Sequence, residues 1–70
     1  MITVLNVITQ QQQRVAIGDD VSFKSDIEQC GRVVRIDGNY LVLENAHGFS
    51  GDYLRGATRT REHRSDCWID

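Results

Sequence analysis

Cys30-Gly31-Arg32-Val33-Val34-Arg35-Ile36, then Asp37-Gly38-Asn39, then Tyr40-Leu41-Val42-Leu43-Glu44 form one stretch in which two short apolar runs flank a turn sequence. Apolar and β-branched residues in runs this short read as strands, and a Gly between Asp and Asn reads as a tight hairpin. Ahead of them stands Val21-Ser22-Phe23-Lys24, introduced by Gly18-Asp19-Asp20. Val21 and Phe23 alternate with Ser22 and Lys24, which turns the two apolar side chains to a core and the others to water. Val34 and Ile36 are expected on one face, with Val33 and Arg35 on the other. Leu41 and Leu43 alternate in the same way with Tyr40, Val42 and Glu44. The chain is all-β by this reading.

Working outward, Ser25 to Gln29 reads as a polar loop, and Asn45 to Asp52 as a long loop with two glycines. Thr58 to His63 is expected to be a strand with a charged outer face. Ser65-Asp66-Cys67-Trp68-Ile69 closes the chain through a short turn that drops Trp68 into the mouth of a barrel. Val21, Phe23, Val34, Ile36, Leu41, Leu43 and Trp68 are the expected core. On the N-terminal side, Ile2-Thr3-Val4-Leu5-Asn6-Val7-Ile8 has strong β character. Gln10 to Gln13 follow without periodicity, as a loop, an arm, or the polar part of a strand continuing to Ile17. An apolar strand left unpaired is an aggregation hazard. Residues 1–17 are therefore expected to pair within the barrel of residues 18–70 or at an interface with a second copy.

Seventy residues make a single small domain, and a chain of that size buries only roughly 60% of its unfolded surface. Two cysteines, Cys30 and Cys67, are too few for a disulfide framework. The opening residues lack the pattern of a secretory leader, and no apolar run reaches the length of a membrane span. A cytoplasmic, soluble protein without a membrane partner is expected, with both thiols reduced.

The formal charge is -2, which argues against a generic polyanion binder, yet the charge is unevenly placed. Residues 55–64 hold Arg55, Arg59, Arg61 and Arg64 against Glu62 alone. Such a stripe reads either as a phosphate-binding face or as a solvated edge strand whose charges block sheet-to-sheet aggregation.

The segment Gly18-Asp19-Asp20-Val21-Ser22-Phe23-Lys24, followed by the two strands of the hairpin, resembles KOW and Tudor-like modules of the SH3-like barrel class. The likeness spans residues 18–44 and rests on a G-D-x-V opening strand, a G-x-V second strand and a third strand in tight connection. It implies a small SH3-like barrel with a short C-terminal turn. It also implies binding of RNA or of nucleic-acid machinery for KOW domains, or of a methylated side chain in an aromatic cage for Tudor domains. Gly48-Phe49-Ser50-Gly51-Asp52-Tyr53-Leu54 and Asp66-Cys67-Trp68-Ile69-Asp70 look like small bacteriophage-encoded proteins, which implies an accessory anti-defence role exerted by binding.

No close pair of metal ligands occurs among Cys30, His47, His63 and Cys67, so neither a metal nor another cofactor is expected. His47, Ser50 and Asp52 share a loop, but sequence closeness does not make the hydrogen bond that activates a serine. A non-enzyme is expected. The candidate ligand-binding residues are His47, Phe49, Tyr53, Arg55, Arg59, Arg61 and Arg64. In this scheme backbone N–H groups near Gly48 and Gly51 approach phosphate, the arginines supply bidentate contacts, and Phe49 or Tyr53 offers a stacking face. The competing reading is an ordinary loop in which Phe49 and Tyr53 plug the barrel. The expected partners are nucleic acid or a nucleotide. The alternative is a homo-oligomeric inhibitor that captures a host protein or a nucleotide signal.

Overall fold

A computed structural model describes residues 2–24 and 27–70. Met1, and Ser25 and Asp26 of the expected polar loop, lie outside the described residues. Seven strands follow one another: β1 Ile2–Asn6, β2 Gln11–Val15, β3 Asp20–Lys24, β4 Glu28–Asp37, β5 Tyr40–Glu44, β6 Arg59–His63 and β7 Cys67–Ile69. A single 3₁₀ turn, Arg64–Asp66, precedes β7. The strands form one sheet in the order β2-β1-β7-β3-β4-β5-β6. From β3 to β6 the chain is an antiparallel meander, and the 3₁₀ turn returns it so that β7 pairs antiparallel with β3. The fold is all-β, one sheet of seven strands among the described residues.

The β4–β5 turn is built as its sequence demands. Asp37 pairs with Tyr40 across Gly38 and Asn39, and of these two only Gly38 has a positive φ, at 62°. Glycine at the first central position with φ > 0 marks the type II′ hairpin, whose twist matches that of the flanking strands.

Residues 2–15 join the same sheet. β1 pairs antiparallel with β2 and parallel with β7, Leu5 opposite Trp68 and Asn6 opposite Ile69. Ile2, Val4 and Val15 enter the chain's own core. The glutamines are strand residues with their side chains in use. Thr3 Oγ1 donates to Gln12 Oε1 at 3.1 Å, and Asn6 Nδ2 donates to Gln13 Oε1 at 2.8 Å. The turn between β1 and β2 closes on Asn6, whose Oδ1 accepts from the N–H groups of Ile8 and Thr9.

The core consists of Ile2, Val4, Val15, Val21, Phe23, Val33, Leu41, Leu43, Phe49, Leu54 and Cys67, with Ile36 and Ile69 packed against it. Two sequence expectations are corrected here. Val33, not Val34, is the buried valine of β4, because a β-bulge between Val33 and Arg35 breaks the two-residue period. Gly31 and Val33 point inward before the bulge, and Ile36 does so after it. Trp68 does not fill the barrel mouth. It stands opposite Ser22 and is only half-buried, while its neighbour Cys67 stands opposite Phe23 and enters the core. Strand alternation grants one of two adjacent residues the interior. No helix among the described residues is long and apolar enough to cross a membrane.

Candidate functional site

Three cross-strand rungs define the outer face of β4, β5 and β6. Residues paired across a ladder share a face, so the register places Arg32, Glu44 and Arg59 on one rung. It places Arg35, Val42 and Arg61 on the next, and Asp37, Tyr40 and His63 on the third. Asp20 of β3 extends the first rung as the partner of Arg32. The face thus carries four arginines against three acids. The first rung alternates in sign, and Arg59 Nε donates to Glu44 Oε2 at 2.9 Å. The middle rung holds two cations and no acid.

Arg61 is held by two neighbours from the third rung. Its guanidinium carbon lies 4.1 Å from the centroid of the Tyr40 ring, and its Nη2 is 3.6 Å from Asp37 Oδ2. Cation–π contacts of this kind contribute about 0.5–1 kcal/mol at exposed sites. Tyr40 in turn meets the His63 ring edge-on, with centroids 5.0 Å apart. Among the described residues the side chains of Arg32 and Arg35 make no hydrogen bond or ion pair.

The segment between β5 and β6 lies on the other side of β6. Phe49 is 2% exposed and packs edge-on against Phe23, with centroids 5.3 Å apart; Leu54 is buried beside it. Phe49 therefore offers no stacking face and fills the core, which is the competing one of the two sequence readings of this loop. Tyr53 reaches the inner side of the sheet, where its hydroxyl donates to Glu62 Oε2 at 2.7 Å. Glu62 and Thr60 are the inward, buried residues of β6, and the Thr60 hydroxyl donates to the same carboxylate oxygen. Alternation along β6 thus separates Tyr53 from Arg59 and Arg61, which face outward.

The N–H groups around Gly48 are taken up by bonds within the protein. Gly48 N–H donates to Asn45 O, Phe49 N–H to Ala57 O, Ser50 N–H to Gln29 Oε1 and Gly56 N–H to Phe49 O. A Cβ on Gly48 would stand 2.9 Å from Gly56 O, and φ at Gly48 is +84°. Glycine is required there by both the close approach and the backbone conformation.

The remaining candidates are dispersed. His47 is exposed in the turn after β5. Arg55 Nε donates to the Asp52 carbonyl at 3.1 Å. Arg64 turns away to β1, its guanidinium donating to Thr3 Oγ1 at 3.2 Å and to Thr3 O at 3.4 Å. Of the seven residues singled out in the sequence, Arg59 and Arg61 alone share one surface with the rest of the ladder. Tyr40, Arg32 and Arg35, which complete that surface, were not among them. Tyr40 was findable from its alternation with Leu41 and its two-residue turn from Asp37.

Cys30 and Cys67 are free thiols, the first exposed and the second buried. Burial pushes the Cys67 thiol up to about 12, helped by the negative charges of Glu62 and Asp66. Among the described residues no group of three or more His, Cys, Asp and Glu side chains is placed to hold a metal ion. The aromatic residues do not gather into a cage. Phe23 and Phe49 are in the core, while Tyr40 on β5 and Trp68 on β7 are separated by β3 and β4. Compared with protein-family models, curated proteins and solved structures, the chain gives no match.

Proposed function

We propose that this protein is a small non-catalytic module that binds nucleic acid through the outer face of β4, β5 and β6. The observation that carries the reading is the rung Arg35–Val42–Arg61 beside Tyr40, with Arg61 over the Tyr40 ring. Two guanidiniums without an acid between them suit phosphate oxygens, which arginine meets with paired N–H donors. An aromatic ring at the same place supplies a surface for a base. The reading agrees with the KOW-like resemblance of residues 18–44 and moves the proposed surface from the loop to the sheet.

The test is fluorescence anisotropy of labelled oligonucleotides over a series of salt concentrations. Changing Arg35 and Arg61 together to Gln should weaken binding and flatten the salt dependence, with log K losing about 0.7 in slope for each phosphate contact on a single strand. Arg14→Gln on β2 is the control and should bind as the parent does. A double variant with the parent's affinity and slope would leave the arginines as a solvated face and remove the reading.

A second reading has an observation of its own. Ile8 is 74% and Ile17 66% exposed, and Leu5 and Val7 are each about two-fifths exposed, all on or beside the β1–β2 hairpin. β2 is also an edge of the sheet. Apolar residues exposed at both ends of an open edge strand favour association with a second copy of the chain.

A further inference from the structure

We infer that the ligand of the β4–β6 face is single-stranded, held by a base stacked on the Arg61 guanidinium where it covers Tyr40. The inference rests on the nucleic-acid reading above and specifies the form of the ligand.

The column of side chains at this place is braced before any ligand arrives. Tyr40 is bounded edge-on by His63, and His63 is itself fixed by the start of the 3₁₀ turn: its Nδ1 accepts from Ser65 N–H at 3.2 Å and lies 2.8 Å from Ser65 Oγ. Arg61 lies over the ring at 4.1 Å with the Asp37 carboxylate beside it at 3.6 Å. A guanidinium placed in this way loses little freedom on binding, so more of the contact energy appears as affinity. Its side chain is 57% exposed, which leaves a planar cation open on the side away from Tyr40. Arginine planes and aromatic rings both accept unstacked bases.

Only a single strand can use that platform. In a duplex the base faces are hidden in the stack, and exposing one costs unpairing energy. The phosphates of a duplex would meet the arginines equally well, so a purely electrostatic face would not discriminate between the two forms. Arg35 lies across Val42 from Arg61, two strand spacings away, or about 9.6 Å between backbones. A base stacked on Arg61 leaves Arg35 at that separation to meet the phosphate beside it. The ligand is therefore an oligonucleotide, and every base qualifies because each has a π-face.

The experiment uses the full chain and three labelled probes of equal length: a mixed-sequence RNA strand, the same backbone with abasic sites, and the RNA duplex. The parent should bind the strand about tenfold or more tightly than either the abasic probe or the duplex. Tyr40→Leu, which keeps an apolar side chain on β5, should lose about that factor on the strand and nothing on the abasic probe. Tyr40→Phe should retain the parent's preference, and thermal melting verifies that both variants fold. Equal affinity for the strand and the abasic probe would overturn the inference while leaving a phosphate-binding face. So would a folded Tyr40→Leu that binds the strand as the parent does. No binding of any probe by the parent would remove both the inference and the reading beneath it.

Discussion

Cys67 shows how one residue's position sets a property of the whole chain. Its thiol is buried opposite Phe23 and near two carboxylates, so it keeps its proton up to about 12 in place of 9.0. In the unfolded chain the thiol ionises near its ordinary value. Between those two pH values the unfolded state therefore binds fewer protons than the folded one, and stability falls as the pH rises. Cys67→Ala should lessen the fall in melting temperature on going from pH 9 to pH 11. Burial also governs reactivity, since the thiolate is the nucleophile. A thiol reagent at neutral pH should modify Cys30 in the folded protein and reach Cys67 only in denaturant. Gly48 makes a second case at this scale. Gly48→Ala places a Cβ against the Gly56 carbonyl in a backbone conformation that L residues rarely adopt. It should lower the melting temperature, while Ala46→Gly, in the exposed turn before it, should change it far less.

At the scale of the element, β4 decides what was legible and what was not. The hairpin from Cys30 to Glu44 could be read because alternation and a turn glycine agree on one register. The bulge left no such mark: Val33 and Val34 are identical in chemistry, and only the pairing with Leu43 and Val42 shows which is inside. That one-residue offset also hid part of the candidate surface. Simple alternation places Arg32 on the expected core face with Val34 and Ile36, whereas the bulge sends Val33 to the core and Arg32 to the outer rung opposite Glu44. β2 was illegible for another reason. Four of its five residues are exposed, so no apolar period exists to find, and the amide side chains of Gln12 and Gln13 only accompany its backbone ladder with β1. The loop after β5 left Phe49 open between a stacking face and a plug because a ligand-stacking aromatic and a core anchor look alike in sequence. The bulge yields a direct prediction. Val33→Ala should cost about 1.5–3 kcal/mol in a denaturant titration, the scale for a fully buried valine, and Val34→Ala clearly less. Phe23→Ala should cost about 3–5 kcal/mol, with Trp68→Ala well below it. A larger loss at Val34 than at Val33 would mean that the bulge is placed wrongly.

For the molecule as a whole, the N-terminal hairpin has two faces with different consequences. Ile2 and Val4 lie in the core, and β1 stands between β2 and β7, so removing residues 1–10 takes out an interior strand. That deletion should unfold or strongly destabilise the chain and says little about assembly. The exposed positions are the ones that report on association. Ile8 lies in the turn and Ile17 follows β2, and neither belongs to the core. Substituting such residues with polar ones normally shifts stability by no more than about 0.5 kcal/mol. If the hairpin edge joins a second copy, light scattering should give the parent a mass above that of one chain. Ile8→Gln with Ile17→Gln should bring the mass to that of a monomer, at an unchanged melting temperature once dilution has separated the parent subunits. The two proposed surfaces lie at opposite ends of the strand order, β2 at one and β5–β6 at the other. The monomeric variant should accordingly keep the parent's affinity per subunit for a short RNA strand and lose only the gain that two linked sites confer on a long one. A parent that runs as a monomer at all concentrations, or a double variant whose mass does not change, would leave the apolar edge without the role argued for it.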